Sequence, residues 1–71
     1  MSECAQLGAE IRRQREQAGY SPEAFAAKIG IPPFRYAPVE RSECTIFLST
    51  IERVAHGLGV QVSELFRGAG L

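Results

Sequence analysis

The sequence predicts an all-α protein, a compact bundle of five short helices, and two observations lead to that class. Apolar residues recur at intervals of three and four along successive stretches, which is the spacing of one helix face. No stretch alternates with the two-residue period of a half-buried strand, so we expect no sheet. The 71 residues suffice for a single small domain over 1–71, with a core from about 7 to 66.

The first helix is predicted between residues 5 and 18. Leu7, Ile11 and Ala18 share one face, and the side chains between them are mostly charged or amide groups. Gly19 follows the last of these residues, and a residue without a Cβ easily adopts the left-handed conformation that caps a helix. We therefore expect the first helix to end at this glycine.

The second helix should begin at Pro22. The hydroxyl of Ser21 can cap free amides there, and proline suits the first helical position. Phe25 and Ile29 lie four residues apart among small alanines, which permits close packing against a neighbouring helix. Gly30 should end this helix after about two turns.

The third helix should follow almost at once, because Pro33 also suits a first helical position. Tyr36 and Val39 are three residues apart and could face the core together. A regular helix would run to about Arg41. Pro38, however, removes one backbone hydrogen bond and clashes with the preceding turn, at a cost of about 3 kcal/mol. We expect an irregularity there, either a kink or the end of the helix.

Residues 42–45 are predicted to form a loop, and the clearest amphipathic pattern of the chain follows it. The apolar face of this fourth helix consists of Leu48, Ile51, Val54, Ala55 and Leu58. The Gly-Leu-Gly segment at 57–59 should end it. A short fifth helix should then carry Val62, Leu65 and Phe66 on its apolar face.

Composition and charge exclude several classes of function. Eight basic residues balance eight acidic ones, so any nucleic-acid binding must come from local charge, for which Arg12, Arg13 and Arg15 form a candidate basic patch. The chain has no phosphate-binding glycine motif, no nucleophile with a recognisable histidine partner and no paired carboxylates that suggest a cleft. We therefore expect no enzyme activity and no cofactor.

The cysteines and the single histidine give no metal site, because Cys4, Cys44 and His56 follow no metal-ligand spacing. His56 falls on the polar side of the fourth helix, which is typical of a surface histidine. We find no signal-peptide pattern and no apolar stretch of bilayer-spanning length. We expect a cytoplasmic protein with no membrane contact and both thiols reduced, and a redox role for Cys4 or Cys44 stays open.

Four stretches of the sequence together resemble a known family. They are LGAEIRRQREQAGYS at 7–21, EAFAAKIGI at 23–31, VER at 39–41 and STIERVAHGLGVQVSELF at 49–66. At this spacing they resemble the Cro and phage-repressor class of helix-turn-helix proteins, also called the xenobiotic-response-element (XRE) family. The resemblance implies a lambda-repressor-like bundle in which helices two and three form the helix-turn-helix, and it implies a DNA-binding regulator of transcription.

The resemblance also implies internal contacts. Family members pair an arginine of helix one with a glutamate near the end of helix three, and the matching residues are Arg15 and Glu40. The alternative is that both are solvated surface charges. Tyr36 matches a position that normally faces inward, where its hydroxyl would need a place at the edge of the core or a polar partner.

The DNA contacts implied by the family fall on unusual residues. Family members dock helix three in the major groove. The positions that contact bases in the family correspond here to Pro32, Pro33, Phe34 and Pro38. The usual glutamine at the start of helix two is replaced by Pro22. None of these side chains can hydrogen-bond to a base, although Phe34 could contact a thymine methyl group, a protein partner or solvent alone. Phosphate contacts are expected from Arg35 and Arg41. Arg12, Arg13 and Lys28 could add to them if they fall on the same face. The alternative for these residues is ordinary solvated surface charge.

Two functions are compatible with this sequence. The first is a small regulator that binds an inverted-repeat operator as a homodimer, because one such domain touches too few bases and phosphates to select a site strongly. The second is a protein-interaction module on the same fold, favoured by the prolines and Phe34 of the third helix. The expected dimer surface is the apolar C-terminal set of Val60, Val62, Leu65, Phe66 and Leu71.

Overall fold

A computed structural model describes residues 3–41 and 48–71 and contains five helices. They are α1 (Glu3–Gln17), α2 (Pro22–Ile29), α3 (Pro33–Glu40), α4 (Leu48–Leu58) and α5 (Val62–Gly68). Within the described ranges there is no strand, and the predicted all-α class is confirmed. The loop predicted at 42–45 lies outside the described residues.

The signals that bound α2 act as predicted. The Ser21 side chain accepts a hydrogen bond from the Ala24 amide at 3.1 Å, and Pro22 opens the helix. Gly30 ends it in the left-handed region with φ of 78°. The carbonyl of Pro32 then accepts hydrogen bonds from amides of the first turn of α3. The chain thus turns from α2 into α3 within three residues, 30–32.

Pro38 does not end α3. The helix continues through Pro38 to Glu40, and the Arg41 amide still donates to the carbonyl of Ala37 at 3.1 Å. Proline supplies no amide for the carbonyl of Phe34 one turn earlier, so α3 lacks one hydrogen bond of its ladder. Tertiary packing of Tyr36 on the inner side therefore overrides the local preference against helix.

Only part of the Gly-Leu-Gly segment ends α4. The helix runs through Gly57, and Gly59, with φ of 73°, follows its last residue. Gly57 serves the packing of α4 on α2 instead. A Cβ at this position would lie 2.5 Å from Ile29 Cγ2 and 3.3 Å from ring carbons of Phe25. Glycine is therefore required for the close approach of the two helices.

All five helices enclose one apolar core. Phe25 and Tyr36 meet at its centre with ring centroids 5.5 Å apart in an edge-on arrangement. Two predictions of inward-facing residues are wrong, because Leu48 is 63% exposed and Ala18 is exposed. The core residues are Leu7, Ile11, Phe25, Ala26, Ile29, Tyr36, Val39, Ile51, Val54, Ala55 and Leu65.

The redox state of the cysteines and the possibility of a membrane-spanning helix can also be compared with the structure. Cys4, near the start of α1, is disulfide-bonded, so the expected reduced thiol at this position is wrong. Cys44 lies outside the described residues. Among the helices that the structure describes, none combines the length and the apolar character needed to cross a bilayer.

Candidate nucleic-acid interface

The arginines of α1 are engaged with acidic side chains of the protein itself. Arg13 donates to both carboxylate oxygens of Glu10, at 2.8 and 2.6 Å, and Arg12 Nε lies 3.6 Å from Glu16 Oε2. Hydrogen bonds from Arg13 lower the pKa of the Glu10 carboxyl, although burial acts in the opposite direction. The candidate basic patch on α1 is thus largely neutralised by local acids.

Arg15 joins α1 to α3 through a nearly buried ion pair. Its Nε lies 2.6 Å from Glu40 Oε2 and its Nη2 lies 3.1 Å from Oε1, which is a two-point contact. Arg15 Nη1 also donates to the carbonyl of Tyr20. The pair that the family resemblance implies is therefore present, and both side chains are mostly buried rather than solvated.

The hydroxyl of Tyr36 provides a further contact within this cluster by donating to Glu40 Oε2. Burial and this hydrogen bond raise the pKa of the Tyr36 phenol, which remains a neutral donor. Sequence reasoning expected a partner for the hydroxyl but did not name it, although the four-residue spacing to Glu40 was a usable signal. Together Arg15, Tyr36 and Glu40 fix α3 against α1.

The outward side of α3 carries an apolar stripe. Tyr36 and Val39 face the core, whereas Phe34 is 77% exposed, Ala37 is exposed and Pro38 is half-buried. Residues three and four apart share one helix face, so Phe34, Ala37 and Pro38 form one stripe, which we call the outward stripe. None of its side chains carries a hydrogen-bonding group.

The remaining prolines of the predicted interface lie at helix starts. Pro32 and Pro33 are exposed beside Phe34, where α3 begins. Pro22 is exposed at the first position of α2. The structure thus brings Pro32, Pro33 and Phe34 together at one exposed helix end, with Pro22 on the neighbouring helix.

A hollow of about 270 Å³ lies between α3 and the start of α4. Arg35 and Arg53 line it together with the hydroxyl residues Ser49 and Thr50 and with Ile31. Arg53 also donates weakly from Nη1 to the carbonyl of Gly30 at 3.4 Å. Sequence reasoning missed Arg53, because its place on the polar face of α4 does not reveal that it lies beside Arg35.

A second hollow of about 480 Å³ shares Ser49 and Arg53 with the first and extends between α2 and α4. Lys28 lines it, and the Lys28 ammonium is held 2.9 Å from the Tyr20 hydroxyl and 4.6 Å from the centre of its ring. The other lining residues are Ile29, Glu52, His56 and Gly57.

Cations and hydroxyls on this part of the surface suit phosphate oxygens. Lys28, Arg53 and Arg35 line the two hollows across α2, α4 and α3, and Glu52 is the acidic residue among the lining residues. Arg41 is exposed at the other end of α3, where it caps the helix. Arg12 lines neither hollow, so the structure does not bring it to this group. Histidine, cysteine and carboxylate side chains of the described ranges form no cluster of three that could hold a metal ion.

The C-terminal apolar set divides into buried and accessible members. Leu65 is fully buried in the core, so its predicted role at a dimer surface is wrong. Val60, Val62 and Phe66 are half-buried against the core, and Leu71 is 46% exposed. Four of the five predicted residues therefore retain accessible apolar surface.

Comparisons with known proteins agree with this architecture. A family model described as a helix-turn-helix domain matches residues 6–66. Control protein C.MunI from Mycoplasma sp is 33% identical over 61 residues, which cover 84% of this chain and 82% of that protein.

Solved structures give the same result. The hypothetical transcription factor NHTF from Neisseria matches with a TM-score of 0.82 and 35% identity, over 89% of this chain and 71% of that chain. The clp gene regulator ClgR from C. glutamicum matches with a TM-score of 0.89 over 99% of this chain and 90% of that chain, and at 23% identity it supports the fold alone. The chain thus belongs to the helix-turn-helix family of DNA-binding transcription regulators of the Cro and phage-repressor (XRE) type.

Proposed function

We propose that this protein regulates transcription by binding an inverted-repeat operator in double-stranded DNA as a homodimer. The observation that carries the proposal is the exposed outer side of α3, which Arg15, Tyr36 and Glu40 hold in place from within. A helix presented in this way can enter the major groove, which is wide enough to admit it. The names of the relatives, a control protein and a transcription factor, support a regulatory role.

Phosphate contacts would position the protein on the duplex. Arg35 at the flank of α3 and Arg41 at its end are the first candidates, and Lys28 and Arg53 extend the basic surface across α2 and α4. Arg12 would contribute less, because Glu16 on the next turn partly neutralises it. Pro22, Pro32, Pro33, Phe34 and Pro38 would face the DNA without hydrogen-bonding to it.

A second copy would supply the other half of the contact area. Val60, Val62, Phe66 and Leu71 are the accessible members of the C-terminal set, and pairing them across a two-fold axis would cover this apolar surface. Two copies of α3 could then lie about 34 Å apart, one helical turn of DNA. Each copy would bind one half of the operator.

The proposal is tested by selecting bound duplexes of about 20 base pairs from a random-sequence pool, followed by affinity measurement across salt concentrations. We expect an inverted repeat, and an affinity that falls steeply between about 50 and 200 mM salt. The variant Arg53→Gln should make the negative slope of log affinity against log salt shallower by about one if Arg53 contacts a phosphate. Random recovery with a flat salt dependence would reject the proposal.

The apolar outward stripe also supports a second candidate function, a protein-interaction module. Phe34, at 77% exposure, is the most exposed of the large apolar side chains in the described ranges. Aromatic residues commonly anchor protein interfaces. Under this function the wild-type protein would show no sequence preference among duplexes, and Phe34→Ala would weaken capture of a protein partner while leaving DNA affinity unchanged.

A further inference from the structure

The base-facing side of α3 has an unusual chemistry for a DNA-binding helix. Phe34, Ala37 and Pro38 form the outward stripe, and Pro33 precedes them in the first turn. A hydrogen bond to a base edge needs a donor or acceptor, and these side chains have neither. Any discrimination between bases by the outward stripe itself must therefore rely on apolar contact.

The major groove offers one apolar group that depends on sequence, the C5 methyl group of thymine. Cytosine carries hydrogen at the same position unless it is methylated, and adenine and guanine have no equivalent group. Phe34 is 77% exposed and lies in the first turn of α3, the part of the helix that enters the groove most directly. A methyl group in contact with its ring would be removed from water on binding.

Charge on the flanks of the stripe favours DNA over an apolar partner. Arg35 follows Phe34 directly, Arg53 lies beside Arg35 in the hollow between α3 and α4, and Arg41 lies two turns beyond Phe34 on the same side. An apolar strip between cations matches a groove floor that carries methyl groups between two phosphate backbones.

From this arrangement we infer that the protein selects its operator by contact between Phe34 and C5 methyl groups in the major groove, with thymine or 5-methylcytosine as the recognised base. The inference rests on the proposed DNA-binding function and adds the chemical group that is recognised. Ala37 and Pro38 extend the same apolar surface one turn further along α3. Arg35 positions the helix through phosphate and does not distinguish bases.

The test uses duplexes selected by the wild-type protein from a random-sequence pool. Each thymine of a selected duplex is replaced in turn by deoxyuridine, which pairs identically and lacks only the methyl group. We expect at least one position in each half-site where the replacement weakens wild-type binding about fourfold, the equivalent of about 0.8 kcal/mol for one methyl group. At that position a 5-methylcytosine·guanine pair should bind more tightly than an unmethylated cytosine·guanine pair.

Two variants assign the effect to the stripe. Phe34→Ala should remove the difference between thymine and deoxyuridine at that position, and it should keep the fold because the side chain is mostly exposed. The matched control Arg35→Gln should weaken binding to both duplexes equally and leave their ratio at about fourfold. Thermal unfolding, monitored by circular dichroism, verifies that both variants remain folded.

The possible outcomes distinguish failure of DNA binding from failure of methyl-group recognition. Failure to enrich any duplex from the pool overturns both the proposed function and the inference. Enrichment of a specific duplex that tolerates deoxyuridine at every position overturns the inference alone. The inference is equally overturned if Phe34→Ala retains the full fourfold difference, because the methyl group would then act through DNA shape or through another residue.

Discussion

Replacing Arg15 with methionine tests the internal support of the DNA-binding helix. The Arg15 side chain is 7% exposed and that of Glu40 is 12% exposed, so the substitution leaves a nearly buried carboxylate without the Arg15 cation. It also removes the donor to the Tyr20 carbonyl. Removal of one member of a buried ion pair costs about 3–5 kcal/mol, because the remaining charge stays desolvated.

This cost is large relative to the stability of the whole domain. A chain of 71 residues is expected to unfold with a free energy of about 4–10 kcal/mol. Arg15→Met should therefore lose about 30% or more of this free energy. If the free energy of unfolding of the wild type is near the lower end of the range, most of the variant would be unfolded at 25 °C. The free energy of unfolding is measured by urea titration with far-ultraviolet circular dichroism.

Two further variants make the measurement specific. The double variant Arg15→Met with Glu40→Gln removes both charges but keeps an acceptor for the Tyr36 hydroxyl, so it should recover most of the loss. The matched control Arg12→Met breaks an exposed pair with Glu16 and should cost less than about 1 kcal/mol. A loss at Arg15 no larger than at Arg12, or a double variant no more stable than Arg15→Met, would refute the argument.

Three other substitutions test separate features by urea unfolding. Glu10→Gln should reduce the loss of stability on acidification. The folded-state pKa of Glu10 lies below its ordinary value of 4.5, so the ionised carboxylate stabilises the fold above about pH 4.5. That contribution disappears as the pH falls through the folded-state pKa. An equal loss of stability on acidification in the variant and the wild type would contradict this. Gly57→Ala should destabilise by about 1–3 kcal/mol, because the added Cβ would overlap Ile29, and a gain from helix propensity alone would show that α4 can move away. Pro38→Ala should stabilise by about 2 kcal/mol, since alanine restores an amide for the carbonyl of Phe34; an unchanged urea midpoint would show that the missing hydrogen bond has no net cost.

Local chemistry was sufficient to predict most of the fold. Ser21, Pro22 and Gly30 bound α2 where they were expected to, because capping and left-handed glycine are short-range effects. Pro38 shows the limit of such reasoning. Its local preference argues for a break, but the burial of Tyr36 and Val39 on the opposite side keeps α3 continuous to Glu40.

The candidate site was less predictable, because it depends on which helices meet. Nothing in the spacing of Arg35 and Arg53 along the chain indicates that both line one hollow. Gly57 likewise looked like part of a helix end, and only the packing of α4 on α2 reveals the steric need for glycine. Family resemblance supplied the pairing of Arg15 with Glu40, which composition and helical periodicity could not have given.

The engagement of the α1 arginines by acidic side chains has an electrical consequence for the whole molecule. Arg12, Arg13 and Arg15 each lie within ion-pair distance of a glutamate, whereas Lys28, Arg35 and Arg53 are exposed and line the two hollows beside α4. A protein of zero formal charge can therefore carry a sizeable dipole moment. Such a molecule gains little attraction to a polyanion at long distance, but it experiences a torque near the surface that turns its positive side forward before contact.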